Sequence, residues 1–118
     1  MDTFEILSQL CSAAGVSGAE GSAAETAAKL LEEYGEVTLD NALGSVVCKV
    51  GSWEDGKPVM LLDAHIDEIG MIVTYITDDG FLKISGCGGL DTRLLLAQQV
   101  TVYGKEKLTG IVTSTPPH

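Results

Sequence analysis

Residues 59–71 read VMLLDAHIDEIGM, an apolar run that leads directly into Asp63, His65, Asp67 and Glu68. Residues 59–62 have the length and composition of a fully buried strand, covered on both faces rather than alternating. Side chains alternate along an extended segment, so Asp63, His65 and Asp67 share one face, with Ala64, Ile66 and Glu68 on the other. Burying such groups without compensation is costly. Either the strand ends here with its polar trio facing water, or the trio is paired or binds a metal.

The rest of the chain narrows the choice. At 118 residues, 45% of them hydrophobic, with a mean hydropathy of +0.23, the sequence supports one modest domain with a core and does not read as a disordered tail. No apolar stretch approaches the roughly 18 residues of a transmembrane helix. The first ten residues carry Asp2 and Glu5 where a signal peptide has a basic region, so the expected location is cytoplasmic. Cys11, Cys48 and Cys87 are odd in number and widely spaced, which argues against a disulfide framework or a zinc ribbon and for free thiols. The net charge of −10 leaves seven scattered Lys and Arg, with no basic patch for phosphates, so nucleic acid and membrane surfaces are poor partners.

Thr3 or Asp2 can cap a first helix carrying Phe4, Leu7, Leu10, Cys11 and Ala14 at helical spacing, with Gly15 as its stop. After the loop GVSGAEG, Ser22 and Glu25 have capping-box spacing for a second helix, whose apolar stripe Ala23, Ala27, Leu30, Leu31 and Tyr34 ends at Gly35. From Glu36 the pattern becomes strands: one around residues 37–39, a turn at DNALG, a second at 45–50, a turn at SWEDG, and the run at 59. Beyond Gly70 the text is all β: MIVTYI, a DDG turn, FLKI, a GCGG turn, then QQVTVYG and KLTGIVT at hairpin spacing, with residues 92–98 able to form one helical turn. The composition changes near residues 68–70, the best candidate for a domain boundary.

Several motifs fail on inspection. Residues 15–19, GVSGA, lack the second glycine of a nucleophile elbow and follow a helix. Residues 86–91, GCGGLD, have neither the third glycine of a dinucleotide fingerprint nor a phosphate-loop lysine, and they sit between strands. His65 begins neither helical zinc-protease motif. His65-Ile66-Asp67 survives. Imidazole is a good ligand for zinc or cobalt, and a neighbouring carboxylate can take its other N–H, fixing the tautomer. Spacing alone does not separate this from a strand-end histidine beside solvated acids.

The order of GVSG, a helix, Asp40 followed by LG, the strand into AHIDEIG, then GF, GG-x-D, QQV and the closing TPPH resembles the amino-terminal part of M42-family metallo-aminopeptidases, of the glutamyl and deblocking type, over essentially the whole chain. AHIDEIG carries the resemblance most specifically, being similar to that family's first metal-ligand strand. The resemblance implies an α/β fold: residues 1–68 as the start of a zinc-exopeptidase core, and residues 69–118 as part of an inserted β-barrel-like dimerisation domain, so that this stretch taken alone is α+β. It implies His65 as a ligand of one of two divalent metal ions, zinc or cobalt, and Asp67 as the acidic catalytic partner that orients the site. Two such ions can activate a shared water while a glutamate handles its proton. Asp63 and Glu68 are not ligands by this match, and Glu68 is expected to serve as a hydrogen-bond or ion-pair partner. His118 is expected to be structural.

By the same resemblance the substrates are peptides with a free amino terminus. The assembly is a homo-oligomer built on dimers, reaching a dodecamer at full length. The chain is about one third of a family member by domain size. The glutamate base and most ligands are then missing, and the chain alone is expected to be inactive. The alternative is a non-catalytic β-rich interaction or oligomerisation module. A metal-storage fragment is disfavoured by the scarcity of His and Cys near position 65.

Overall fold

Asp2 opens the first helix with a reciprocal cap. A computed structural model describes residues 2–40 and 42–115. In it α1 (Thr3–Ser12) starts where the Asp2 carboxylate accepts the Glu5 N–H at 2.8 Å, while the Asp2 N–H donates to the Glu5 carboxylate at 3.1 Å. Two orphan donors of the helix end are thereby satisfied. Extended backbone at Ala13 ends it, two residues before Gly15.

The second helix, α2 (Gly21–Leu31), starts one residue before Ser22, so the Ser22–Glu25 capping box expected from spacing does not form. Ser22 already lies inside the helix, its carbonyl accepting the Thr26 hydroxyl at 2.8 Å. The N-cap is Glu20, whose carboxylate accepts the Gly18 N–H at 2.6 Å instead of capping the helix. The helix stops at Leu31 and turns through Tyr34, short of Gly35. Its face supplies the buried hydrophobic side chains of the described residues, Ala23, Ala24 and Ala28. These pack toward α1 and toward the hairpin of β1 (Glu36–Leu39) and β2 (Val46–Lys49). Asp40 shapes the connecting turn by accepting the Ala42 N–H at 2.9 Å, as short acidic side chains do at turns.

The reading of residues 59–62 as a buried strand does not hold. No residue from 50 to 67 joins a helix or strand, and Val59, Met60, Leu61 and Leu62 are 63, 85, 83 and 87% exposed. A strand needs a neighbour to take its backbone hydrogen bonds, and an apolar run needs a surface to cover it. The described residues offer this segment neither.

Regular structure resumes at Glu68, which forms an isolated parallel bridge with Val16. Then follow β3 (Gly70–Ile76) and β4 (Leu82–Cys87), antiparallel around the Asp78–Gly80 turn, with a bulge at Thr74. One turn of 3-10 helix (Thr92–Leu94) precedes β5 (Gln99–Tyr103) and β6 (Lys107–Ile111), also antiparallel. The fold is α+β, and the predicted order of strands after Gly70 is present. Among the described residues the strands pair as three separate hairpins, β1–β2, β3–β4 and β5–β6, so the ladders that would close a barrel are absent. The chain divides into two compact units, Met1–Gly88 and Gly89–His118. No helix of the described residues is long and apolar enough to cross a membrane. His118 and the prolines before it lie outside the described residues.

Candidate metal-ligand site

The segment 65–68 holds its chemistry in place through short-range contacts. His65 Nδ1 lies 3.0 Å from Asp67 Oδ1 and 3.2 Å from the Asp67 carbonyl oxygen. A carboxylate and a carbonyl can only accept, so Nδ1 carries the hydrogen and donates to both. In the neutral form such a ring has its lone pair on Nε2, the tautomer that leaves Nε2 for a metal. The histidine side chain is 85% exposed and that of Asp67 is 40% exposed, so the pair is open to solvent. A groove of about 280 Å³ runs beside it, lined by Leu10, Cys11, Ala13, His65, Ile66 and Glu68.

Asp63, the third member of the expected face, is exposed and stands outside this hydrogen-bonded pair. Glu68 serves as a hydrogen-bond partner elsewhere. Its carboxylate accepts the Gly15 N–H at 3.1 Å, and its own N–H donates to the Gly15 carbonyl at 2.8 Å. This clamp joins residues 53 apart in sequence. One sequence shows a glutamate and a glycine-bearing loop but nothing that pairs them. The three cysteines are free thiols, as their spacing suggested. Elsewhere, Asp91 caps the 3-10 turn and takes a bidentate contact from Arg93 at 2.9 and 2.7 Å. Those hydrogen bonds hold the Asp91 carboxyl below its ordinary value and raise Arg93.

Among the described residues no three His, Cys, Asp or Glu side chains gather where one ion could join them. A zinc centre takes about three protein ligands at least. The donors among the described residues therefore do not fit a complete metal centre. What fits is one imidazole, its Nδ1 tied down and its Nε2 available.

The profile of the M42 glutamyl aminopeptidase family matches residues 44–118, more than half of the chain. The chain belongs to the M42 glutamyl aminopeptidase family. FrvX of Escherichia coli strain K12, a protein provisionally named an aminopeptidase, is 35% identical over 118 residues, which cover 98% of this chain and 32% of FrvX. A TET aminopeptidase from the marine sediment archaeon Thaumarchaeota archaeon SCGC AB-539-E09 superposes with a TM-score of 0.82 at 35% identity, covering 98% of this chain and 32% of that one. The Pyrococcus horikoshii TET1 peptidase, described as able to assemble into a tetrahedron or a large octahedral shell, superposes with a TM-score of 0.80 at 34% identity, covering 99% and 34%. This M42 chain thus spans about a third of the length of the relatives it matches.

Proposed function

We propose that this sequence is the amino-terminal part of a metal-dependent aminopeptidase, in which His65 is one metal ligand and Asp67 orients its ring. The observation that carries the reading is the Nδ1 contact at 3.0 Å, which leaves Nε2 as the free donor within a segment of the M42 family. The reaction class is hydrolysis of the peptide bond after a free amino-terminal residue, and the metals are zinc or cobalt. Among the described residues no second or third donor joins His65, and a centre needs several, so on this reading the 118 residues by themselves do not hydrolyse peptides. Residues 1–68 are read as the start of the catalytic domain and residues 69–118 as the start of an inserted β-barrel-like domain. Among the described residues no α-helix follows Glu68, which supports that division. Homo-oligomerisation is proposed from the shells formed by the Pyrococcus horikoshii relative.

The test is an assay of a full-length protein carrying this segment against short peptides with free and blocked amino termini. Activity on the free ones only, lost to a chelator and restored by zinc or cobalt, is the expected result. Chelator-resistant cleavage, or cleavage by the 118-residue chain alone, contradicts it.

A further inference from the structure

We infer that Glu68 is a positioning residue for the His65–Asp67 pair, acting through Gly15. The link is a single peptide plane. The carbonyl of Asp67 and the N–H of Glu68 belong to one rigid trans amide, so they point to opposite edges of the same plane. One edge receives His65 Nδ1 at 3.2 Å, and the other donates to the Gly15 carbonyl at 2.8 Å. Rotating that plane would break both bonds together. The Glu68 carboxylate then accepts the Gly15 N–H at 3.1 Å, so Gly15 is gripped through both its backbone groups.

Gly15 is a firm anchor. It is buried, and a β-carbon there would come within 2.8 Å of the Ala23 Cβ, itself in the buried face of α2. Val16 fills the space over Gly70 so closely that a β-carbon at Gly70 would overlap Val16 Cγ2. The loop after α1 is therefore wedged between α2 and residues 66–70. The chain before Glu68 has no comparable support, since residues 50–67 join no helix or strand. Asp67 and His65 hang from the clamp at their carboxyl-terminal side. The clamp sets where the Asp67 carbonyl and carboxylate sit, and thus which ring nitrogen of His65 is left for a metal. The functional consequence rests on reading His65 as a ligand, whereas the positioning itself does not.

The test uses the 15N-labelled 118-residue chain, reading the His65 ring tautomer by long-range proton–nitrogen correlation and the exchange rate of the Gly15 amide. Glu68→Ala is expected to speed Gly15 exchange by about fivefold to tenfold, the loss of one partly buried hydrogen bond, and to shift His65 from the Nδ1–H form toward a mixture. Glu68→Gln keeps an accepting oxygen and is expected to restore both readouts to within about twofold of the parent. Faster Gly15 exchange in Glu68→Ala with an unchanged His65 tautomer would overturn the inference, because Glu68 would then staple the loop and nothing more. Should Glu68→Ala not fold, Glu68→Asp withdraws the acceptor by one methylene and is expected to give an intermediate tautomer shift; an unchanged His65 there overturns it equally. A full-length His65→Ala enzyme that keeps its metal would remove the ligand reading and leave the tautomer result standing, so the two failures are distinguishable.

Discussion

A β-carbon added at residue 15 would strike Ala23 at 2.8 Å, whereas at residue 21 nothing lies within 4 Å. The two glycines are therefore present for different reasons. Gly15 and Gly70 serve close packing around the loop that seats Glu68, and Gly21 merely begins α2. Gly15→Ala and Gly70→Ala are expected to lose about 1–3 kcal/mol through overpacking. Gly21→Ala should be neutral or gain up to about 1 kcal/mol from helix propensity. Urea unfolding midpoints at constant slope decide this, and equal stabilities for Gly15→Ala and Gly21→Ala would contradict the packing argument. The His65–Asp67 contact was legible in the sequence at this scale, because side chains two apart can share a side. The Glu68–Gly15 clamp was not legible as a pair, since its partner lies beyond three intervening elements and a long loop.

At the scale of elements, the helices show how local spacing can mislead. Ser22 and Glu25 have the separation of a capping box, yet the box forms at Asp2 and Glu5, where Asp2 stands just outside the first turn and Glu5 three residues on reaches back to it. In α2 the buried alanines at 23, 24 and 28 set the helix against its neighbours and draw Ser22 into the first turn. Asp2→Ala is expected to cost about 1 kcal/mol, while Ser22→Ala should fall within about 0.5 kcal/mol of the parent or above it. Thermal melts of the two variants provide the comparison, with a large loss at Ser22 as the contradicting outcome.

The strands after Gly70 were readable because each is bounded by its own turn residues and pairs with its immediate neighbour. In two hairpins a cross-strand Tyr–Lys pair reinforces the register. Lys83 sits over Tyr75 at 5.6 Å, and Lys107 over Tyr103 at 5.3 Å. Residues 59–62 could not be placed in this way. An apolar run reports that burial is wanted, while the surface providing it comes from elsewhere in a fold. Leu61→Glu and Leu62→Glu should therefore change the stability of this chain by less than about 0.5 kcal/mol, as exposed substitutions do. A loss of about 2–5 kcal/mol, the cost of disrupting a packed core, would show that the segment is covered after all.

At the scale of the whole molecule, the buried hydrophobic side chains of the described residues are three alanines, while Ile72, Tyr75, Ile76, Leu108 and Ile111 are exposed on two-stranded hairpins. Each hairpin also presents strand edges that carry unpaired backbone groups. Such a chain is expected to self-associate. Multi-angle light scattering should give a mass that climbs above 12.3 kDa as concentration rises, and a constant 12.3 kDa at high concentration would contradict this. The chain spans about a third of the length of its relatives, and among the described residues exposed apolar surface coincides with an imidazole that no further donors join.

The central proposal is that His65 is one metal ligand. It is tested most directly by the metal content of a purified full-length protein carrying this segment, measured per chain after dialysis, with and without His65→Ala. The parent should retain about two ions per chain, and the variant should lose at least one of them. Retention of both ions by His65→Ala, with full peptidase activity, would contradict the account.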